Sequence, residues 1–341
     1  MTVISAQRAA VLLVSDGSTN LGFGHLVRVI SVGLELAEDY DVHLVSRTES
    51  AHAIVEELSA WQSGEIAKVH IVNGAPSWSN AGQIANSVAE LRDASGARIV
   101  IIDGKFEFSA SDIAHLSRSA RLALIDNPHA VEIGADLVVF PTCHLDPTFE
   151  AALGAPVSHG PDWTFVHPSI RAAAPKEALE PSGTFVSLGL GDPMGLLPAV
   201  VERVIHATTE PLRVVAPRNL DSSCRSRLEQ SRQITWVEPG ISLASALLDS
   251  RAAVCAFGIS AYEAVELGVP LWLLTHSGER DGDTSRFIDF FGARVLGFGL
   301  VGMTNGLQRA ATAISTRDRY GLGGLGANLL KWARREVGNE T

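Results

Sequence analysis

Short, continuous apolar runs recur along this chain, and a segment of helix length separates each run from the next. In the first half they occupy residues 9–15, 41–45, 68–72, 98–102, 122–125 and 137–140, and in the second half 184–188, 212–216, 234–237, 252–256 and 271–275. A strand that is covered on both faces is apolar without alternation, so such runs between helices favour parallel sheets. The sequence therefore predicts an α/β protein with two doubly wound, Rossmann-like sheets.

The length of 341 residues favours two domains, because a single hydrophobic core rarely grows that large. Residues 171–183 contain Pro175 and Pro181 without an apolar period, and they are predicted to be a linker. The predicted domains are thus 1–170 and 184–341, and the final helical pattern at 327–335 is a candidate to pack back onto the first. Two such halves predict a ligand cleft between their facing carboxyl-end loops.

Composition and charge exclude several classes of function. A formal net charge of −11 would repel nucleic acid, so a small anionic ligand held by local helix dipoles is the favoured partner. Residues 1–8 do not resemble a secretory signal and no apolar run is long enough for a membrane span, so a cytoplasmic location is expected. Three dispersed cysteines and scattered histidines predict no disulfide framework, no metal site and no cofactor.

A glycine turn and a histidine follow the first apolar run. Gly22 and Gly24 would permit close backbone approach, and His25 falls near the first turn of the next helix. The positive end of a helix dipole favours the neutral imidazole that a general base needs. Arg28, one turn further, is predicted either to hold a loop carboxylate such as Asp16 or to face the ligand. The structural alternative is a glycine turn with a capping histidine.

A second group follows the run at 252–256 and consists of Gly258, Ile259, Ser260, Tyr262 and Glu263. It begins a predicted helix, so backbone amides from Gly258 onward and the Ser260 hydroxyl would suit a diphosphate. Glu263 would accept hydrogen bonds from the hydroxyls of a ribose; the alternative is a solvated helix carboxylate. The glycine turn at Gly189 either contacts phosphate or simply connects strand to helix.

Six motifs taken in order resemble one family: Gly22-Phe-Gly-His25-x-x-Arg28, Asp103-Gly104-Lys105, Asp126-Asn-Pro-His129, Gly160-Pro-Asp-Trp-Thr-Phe-Val-His-Pro168, Ser187-Leu-Gly-Leu-Gly-Asp-Pro193 and Gly258-x-Ser260-x-Tyr262-Glu263. The chain resembles the UDP-sugar hydrolases of pseudaminic acid biosynthesis and their spore-coat polysaccharide relatives. That resemblance implies a glycosyltransferase-B-like fold, UDP bound mainly by the second domain, and metal-independent hydrolysis at the anomeric carbon. It also implies that His25 positions or activates water, that Gly258 and Ser260 cradle the diphosphate, and that Glu263 binds the ribose.

The chain departs from the family pattern at two places where sugar recognition is expected. Asp103-Gly104-Lys105 replaces a tripeptide such as Asp-His-Tyr, and residues 277–281 replace a Glu-Asn-Gln segment. Asp103 and Lys105 are therefore candidate catalytic residues beside His25, and Glu279 and Arg280 are candidate binding residues. We hypothesise that Lys105 and Arg280 meet an acidic or differently substituted glycosyl group; the alternative is surface charge on drifted loops.

Three functions remain open at this point. The first is a nucleotide-sugar hydrolase, and the second is a glycosyltransferase of the same fold in which His25 deprotonates an acceptor hydroxyl. The third is a nucleotide-sugar-binding protein without turnover. The base, the sugar and the oligomeric state are not predicted.

Overall fold

The structure is a computed structural model, and it describes residues 8–60, 64–128, 134–152, 157–173, 181–231, 233–237, 243–275, 281–300, 302–310 and 319–337. Contacts divide these residues into two compact units. The first unit comprises the described residues of Met1–Gly17, His25–Trp163 and Gly324–Thr341, and the second those of Ser18–Gly24 and Thr164–Gly323.

The first unit is built on a parallel sheet, which has six strands in the part of the chain that the structure describes. They are β1 (Ala10–Ser15), β2 (Asp41–Ser46), β3 (Lys68–Ile71), β4 (Ile99–Asp103), β5 (Arg121–Ile125) and β6 (Leu137–Val139). Their spatial order is β3-β2-β1-β4-β5-β6, so the direction of winding reverses between β1 and β4. Every residue of β1 and β4 is buried, which explains why these strands are apolar without alternation.

Helices of the first unit begin and end where the local sequence dictates. They are α1 (Gly24–Leu36), α2 (Ala51–Ser59), α3 (Ala81–Ser95), α4 (Ala110–Leu116) and α5 (Pro147–Ala152). The α3 helix ends at Gly96, whose φ of 65° is the left-handed conformation typical of a helix C-terminus. The α4 helix begins with a capping box, in which Ser109 and Asp112 exchange side-chain and backbone hydrogen bonds.

The second unit repeats the same topology. Its helices are α6 (Pro168–Ala172), α7 (Leu197–Ala207), α8 (Ser222–Glu229), α9 (Leu243–Leu248), α10 (Ile259–Glu266), α11 (Asp281–Phe291) and α12 (Met303–Ala310). Its described strands are β7 (Thr184–Ser187), β8 (Leu212–Val215), β9 (Ile234–Val237), β10 (Ala252–Ala256), β11 (Leu271–Leu274) and β12 (Val295–Phe298), in the order β12-β11-β10-β7-β8-β9. The winding therefore reverses between β7 and β10, as it does between β1 and β4 in the first unit.

The final helix, α13 (Leu325–Val337), belongs to the first unit by its contacts. Arg334 on this helix pairs with Asp39 at 2.7 Å, and the amide of Asn328 donates to the carbonyl of Asp162 at 2.8 Å. The predicted boundaries at 170 and 184 stay a prediction.

The predicted fold class is confirmed: the chain contains two doubly wound, Rossmann-like parallel sheets of the glycosyltransferase-B type. The helix-length segment between the runs at 68–72 and 98–102 forms α3, which begins only at Ala81. Asn80 adopts the left-handed conformation (φ 58°, ψ 36°), which a helix cannot contain, so Trp78 lies in the preceding loop. Strand β12 was not predicted, because Gly297 interrupts its apolar run.

Among the described residues, no helix combines the length and the apolarity that crossing a membrane requires.

Candidate functional site

Two polar residues of the first unit, Ser15 and Asp103, lie side by side at the carboxyl ends of β1 and β4, where the winding of the sheet reverses. Ser15 ends β1 and pairs in register with Asp103, which ends β4. The Ser15 hydroxyl donates to the Asp103 carbonyl at 2.9 Å. Carboxyl ends of adjacent strands at a winding reversal are the usual ligand-binding position in such sheets. The carboxylate of Asp103 is thus placed at this position by the topology itself.

Arg28, on the first turns of α1, forms a bidentate ion pair with Asp103. Its Nε donates to Oδ2 and its Nη2 to Oδ1, each at 2.7 Å. The Asp103 side chain is fully buried, and the Arg28 side chain is 9% exposed. A buried carboxylate of this kind is tolerated because its charge is compensated and its oxygens are hydrogen-bonded.

The environment of Arg28 acts on its pKa in two opposing ways. Burial by itself lowers the pKa of the guanidinium, but the charges and hydrogen bonds of Asp103 and then Asp126 outweigh burial, so the pKa is raised above its usual value. Arg28 is therefore a permanent cation. The predicted alternative partner, Asp16, is wrong: Asp16 is instead held by Arg47, whose Nε and backbone N–H each donate to it at 2.8 Å.

His25 completes the group. Its Nδ1 lies 2.8 Å from Asp103 Oδ1, and its Nε2 lies 3.8 Å from Asp126 Oδ2. Because Asp103 accepts hydrogen bonds and cannot donate, we assign the imidazole proton to Nδ1, which leaves the lone pair at Nε2. Arg28 Nη2 and His25 Nδ1 lie 3.0 Å apart because both donate to the same carboxylate oxygen. This arrangement can accept a proton at Nε2 and stabilise the resulting cation between two carboxylates.

An aromatic wall lies beside His25. The ring of Trp78 meets the imidazole edge-on, with centroids 5.2 Å apart, and meets Phe106 in the same way at 4.9 Å. Gly104 makes this possible: its φ is +144°, and a Cβ there would come within 2.5 Å of the Trp78 ring. Trp78 therefore occupies the space in which any larger residue at position 104 would place its side chain.

Lys105 is half-buried two residues beyond Asp103. Within the described part of the chain it forms neither an ion pair nor a hydrogen bond. Its predicted role in recognising an acidic sugar stays a prediction.

In the second unit, α10 begins at the corresponding reversal of the sheet. Gly258 is its N-cap and Ile259 its first residue, so the amides of Ile259 and Ser260 precede the intrahelical hydrogen bonds, which start with Ala261 N–H to Gly258 O at 3.0 Å. A Cβ at Gly258 would meet no atom within 4 Å, so the backbone there is open to approach. The Ser260 hydroxyl lies 3.3 Å from the hydroxyl of Ser187, the last residue of β7. Unpaired amides at a helix N-terminus can hold an anion, and the predicted binding of a diphosphate here stays a prediction.

Glu263 lies one turn into α10 and is 1% exposed. Burial raises the pKa of its carboxyl group to about 7, and a hydrogen bond from the His167 backbone N–H to Oε1, at 3.4 Å, partly opposes that rise. Its Oε2 is buried without a hydrogen-bond partner among the described residues. The alternative of a solvated surface carboxylate is therefore wrong, because the helix turns this face inward.

The remaining predicted binding residues differ in their surroundings. Tyr262 is buried with its ring 5.1 Å from Phe287, which is a packing environment, and its binding role stays a prediction. Gly22 and Gly189 occupy left-handed turns at φ 76° and 87°. Gly24 is the first residue of α1. Glu279 and Arg280 lie outside the described residues.

Comparison with known proteins adds a distant sequence relative. The chain is similar to a spore coat polysaccharide biosynthesis protein. That protein, SpsG of Bacillus subtilis (strain 168), is 27% identical over 155 residues, which cover 42% of this chain and 44% of SpsG. The match thus spans less than half of the relative's length, and no family model matches the chain.

Solved structures share the fold over nearly the whole length. UDP-GlcNAc 2-epimerase from Methanocaldococcus jannaschii has a TM-score of 0.59 and 13% identity, covering 96% of this chain and 99% of that one. A glycosyltransferase from Rickettsia africae ESF-5 has a TM-score of 0.55 and 11% identity, covering 98% and 94%. At such identities the likeness is one of fold.

Sequence reasoning missed Trp78, and it included Asp126 and His167 only as members of longer motifs, without a role of their own. Trp78 is a lone tryptophan in a Pro- and Ser-rich stretch before a helix, which is a signal that could have been used. Asp126 directly follows β5, and Asp103 is the last residue of β4. Because these two strands are neighbours in the sheet, the two carboxylates lie at the same edge. His167 precedes Pro168 at the start of α6, and a proline at the first helical position is a helix-start signal.

Proposed function

We propose that this protein is a nucleotide-sugar hydrolase, which releases a nucleoside diphosphate and a free sugar by attack of water at the anomeric carbon. We assign the chemistry on the sugar to the His25 group of the first unit and the binding of the nucleotide to the start of α10 in the second unit. The observation that carries the proposal is the hydrogen bond between His25 Nδ1 and the buried, Arg28-compensated Asp103, because it directs a basic lone pair to Nε2.

The chemical step follows from that geometry. The water oxygen bonds to the anomeric carbon, and the bond from that carbon to the diphosphate oxygen breaks with its electron pair on the diphosphate. His25 Nε2 takes the proton that water loses. Asp103 positions the imidazole and, with Asp126 at 3.8 Å from Nε2, stabilises the imidazolium that forms. A single displacement of this kind inverts the anomeric configuration.

Features of the second unit support the nucleotide assignment. The amides at the start of α10, which precede the intrahelical hydrogen bonds, and the hydroxyls of Ser187 and Ser260 would offer donors to a diphosphate. Stabilising a departing diphosphate is an electrostatic task, in which losing one well-placed donor costs roughly 3–4 kcal/mol. The distant relative SpsG is named for polysaccharide biosynthesis, and UDP-GlcNAc 2-epimerase has a similar fold.

The direct test supplies the protein with a panel of nucleotide-sugars, including nucleotide-uronic acids, without an acceptor. Anomeric proton signals are followed by NMR. Free sugar that first appears with inverted configuration, together with nucleoside diphosphate, is the expected result. Faster turnover of a uronic acid donor would support a role for Lys105. Retained configuration would contradict direct attack by water.

A second candidate is glycosyl transfer, in which the same Nε2 deprotonates an acceptor hydroxyl. The fold shared with the Rickettsia glycosyltransferase favours keeping this candidate. Turnover that requires an added acceptor would establish it over hydrolysis. Binding of every donor without any product, with or without acceptors, would leave a nucleotide-sugar-binding protein. A cytoplasmic location stays a prediction under each of these functions.

Replacing the proposed base separates chemistry from binding. His25→Asn keeps a group at the distance of Nδ1 that can contact Asp103, but it removes Nε2. We expect turnover to fall by roughly 10²–10⁴-fold while nucleotide affinity changes less than about twofold. The matched control is His52→Asn, an exposed histidine on α2 of the same unit, which should leave both unchanged. A large loss of nucleotide affinity in His25→Asn would place His25 in the binding site instead.

A further inference from the structure

A second buried ion pair of the first unit joins Asp16, directly after β1, to Arg47, directly after β2. Arg47 Nε and Nη2 donate to Oδ2 of Asp16 at 2.8 and 2.5 Å, and the backbone N–H of Arg47 donates to Oδ1 at 2.8 Å. Both side chains are at most 1% exposed. A buried ion pair adds little net stability over apolar side chains of similar volume, because desolvating both charges offsets their attraction. The other contacts of the guanidinium therefore indicate what this pair does.

Those contacts lead to Trp78 from two sides. Arg47 Nη2, which already reaches Asp16, also donates to the carbonyl of Ser77, the residue before Trp78. The guanidinium carbon lies 5.8 Å from the centre of the Phe106 ring, and a cation over an aromatic face is attracted to it. The Trp78 ring packs against the same Phe106 ring, with centroids 4.9 Å apart. Arg47 thus contacts both the backbone that precedes Trp78 and the ring on which Trp78 packs.

The segment that carries Trp78 depends on such contacts. Residues 72–80, between β3 and α3, form neither helix nor strand, so no regular ladder of hydrogen bonds holds them. The carbonyl of Ser77 accepts from Arg47, and the carbonyl of Trp78 accepts from the backbone N–H of Glu107 at 3.1 Å. An irregular segment keeps one conformation where bonds of this kind restrain it. Two consecutive carbonyls are therefore fixed from outside the segment.

Trp78 in turn restrains the imidazole of His25. Rotation about the bond between an imidazole and its Cβ is broad, so the hydrogen bond from Nδ1 to Asp103 does not fix the ring plane by itself. The Trp78 ring meets the imidazole edge-on with centroids 5.2 Å apart, and it limits that rotation. The direction of the Nε2 lone pair follows the ring plane, and proton transfer requires that the lone pair be aligned with the proton.

We propose that Arg47, held by Asp16, is a positioning residue that fixes Trp78 against His25 and so sets the orientation of Nε2. Its effect on turnover rests on the proposed function, whereas the placement of the two rings is measured without any ligand.

The test variant carries Asp16→Asn and Arg47→Met in one chain, so that no uncompensated charge remains buried. Asparagine at position 16 keeps an oxygen for the backbone N–H of residue 47, and methionine offers no donor to the Ser77 carbonyl. Thermal unfolding followed by circular dichroism checks the fold. If this variant does not fold, Arg47→Lys replaces it, because lysine keeps a cation beside Asp16 but lacks the fork that reaches both acceptors.

The matched control is Arg92→Met, which removes another buried guanidinium of the first unit. Arg92 lies on α3, is 2% exposed, and donates through Nη1 to the carbonyls of His115 and Leu116 at 2.5 and 2.8 Å. This variant loses hydrogen bonds of the same kind at a place that the contacts above do not connect to Trp78. A change shared by the test variant and this control would reflect general loosening of the unit.

The first measurement is the nuclear Overhauser cross-peak between the ring protons of His25 and Trp78. The protein is deuterated except for its histidine and tryptophan side chains, and the cross-peak is assigned by its absence from both His25→Asn and Trp78→Leu. We expect the cross-peak to be lost in the test variant and to keep its wild-type intensity in Arg92→Met. Unchanged intensity in the folded test variant would overturn the proposal, and so would an equal loss in Arg92→Met.

The second measurement is turnover of the nucleotide-sugar that the wild-type protein hydrolyses fastest. We expect kcat to fall about tenfold in the test variant while KM changes less than about twofold, because a misaligned base slows the chemical step without removing a binding contact. Loss of the cross-peak with wild-type kcat would overturn the positioning role. If the wild-type protein turns over no nucleotide-sugar, the proposed function fails, and the cross-peak still decides whether Arg47 fixes Trp78 against His25.

Discussion

Replacing Asp103 with alanine should lower the free energy of unfolding of the first unit, because it breaks the buried ion pair between Asp103 and Arg28. In Asp103→Ala the guanidinium of Arg28 stays buried and, among the described residues, keeps Asp126, at 3.3 Å, as its acidic partner. Breaking a buried pair by removing one partner costs about 3–5 kcal/mol, because the other charge is left uncompensated. For a unit of this size that loss corresponds to a fall in Tm of roughly 6–20 °C.

The matched second change is Arg28→Met, which fills similar space without charge. In the double variant no uncompensated charge remains, so its loss of stability should be smaller than the sum of the two single losses by about 1–3 kcal/mol. The four proteins form a double-mutant cycle that isolates the interaction between Arg28 and Asp103.

Urea unfolding followed by circular dichroism supplies the free energies, and hydrogen exchange assigns them to a unit. Peptides from β1 and β4 should exchange faster in Asp103→Ala, and peptides from β7 and β10 should be unchanged. Additive losses within about 0.5 kcal/mol would refute the coupling. So would a loss below about 1 kcal/mol in Asp103→Ala, since that would mean that the charge of Arg28 is solvated by other means.

Two further predictions concern Gly104 and Glu263. Gly104→Ala should destabilise the first unit by roughly 1–3 kcal/mol in urea unfolding and shift tryptophan fluorescence, because its Cβ would meet Trp78 at 2.5 Å; Gly96→Ala, at a left-handed position with no neighbour within 4 Å, should cost only about 1 kcal/mol and leave fluorescence unchanged. The pKa of Glu263 is raised from 4.5 to about 7, so its favourable contribution is present below pH 4.5 and is lost as pH rises through 7. Glu263→Gln should therefore be more stable than the wild type at pH 8, with a margin that vanishes near pH 4.5; a margin independent of pH would contradict this.

Local sequence was sufficient for the eleven described strands from β1 to β11, and it missed only β12 of the described strands. Strands that are buried on both faces, such as β1 and β4, need an uninterrupted apolar run, and such a run can be recognised in the sequence without knowledge of the fold. The limits of β9 and β10 were predicted to the residue. The start of α3 was not, because the left-handed conformation of Asn80 is a local choice that no periodicity reveals.

The candidate site divides in the same way. The sequence by itself determined that His25 lies in the first turn of a helix after a glycine turn and that another helix starts directly after Gly258, since a glycine turn between a strand and a helix is a local feature. Only the tertiary structure decided that Arg28 pairs with Asp103, 75 residues further along the chain, and not with Asp16, 12 residues before it. The reason is that β1 and β4 become neighbours only in the folded sheet. The same holds for Trp78 beside His25 and for His167 beside Glu263. Those contacts join segments that are distant along the chain, and their geometry depends on strand order and packing, which a pattern of residue types does not specify.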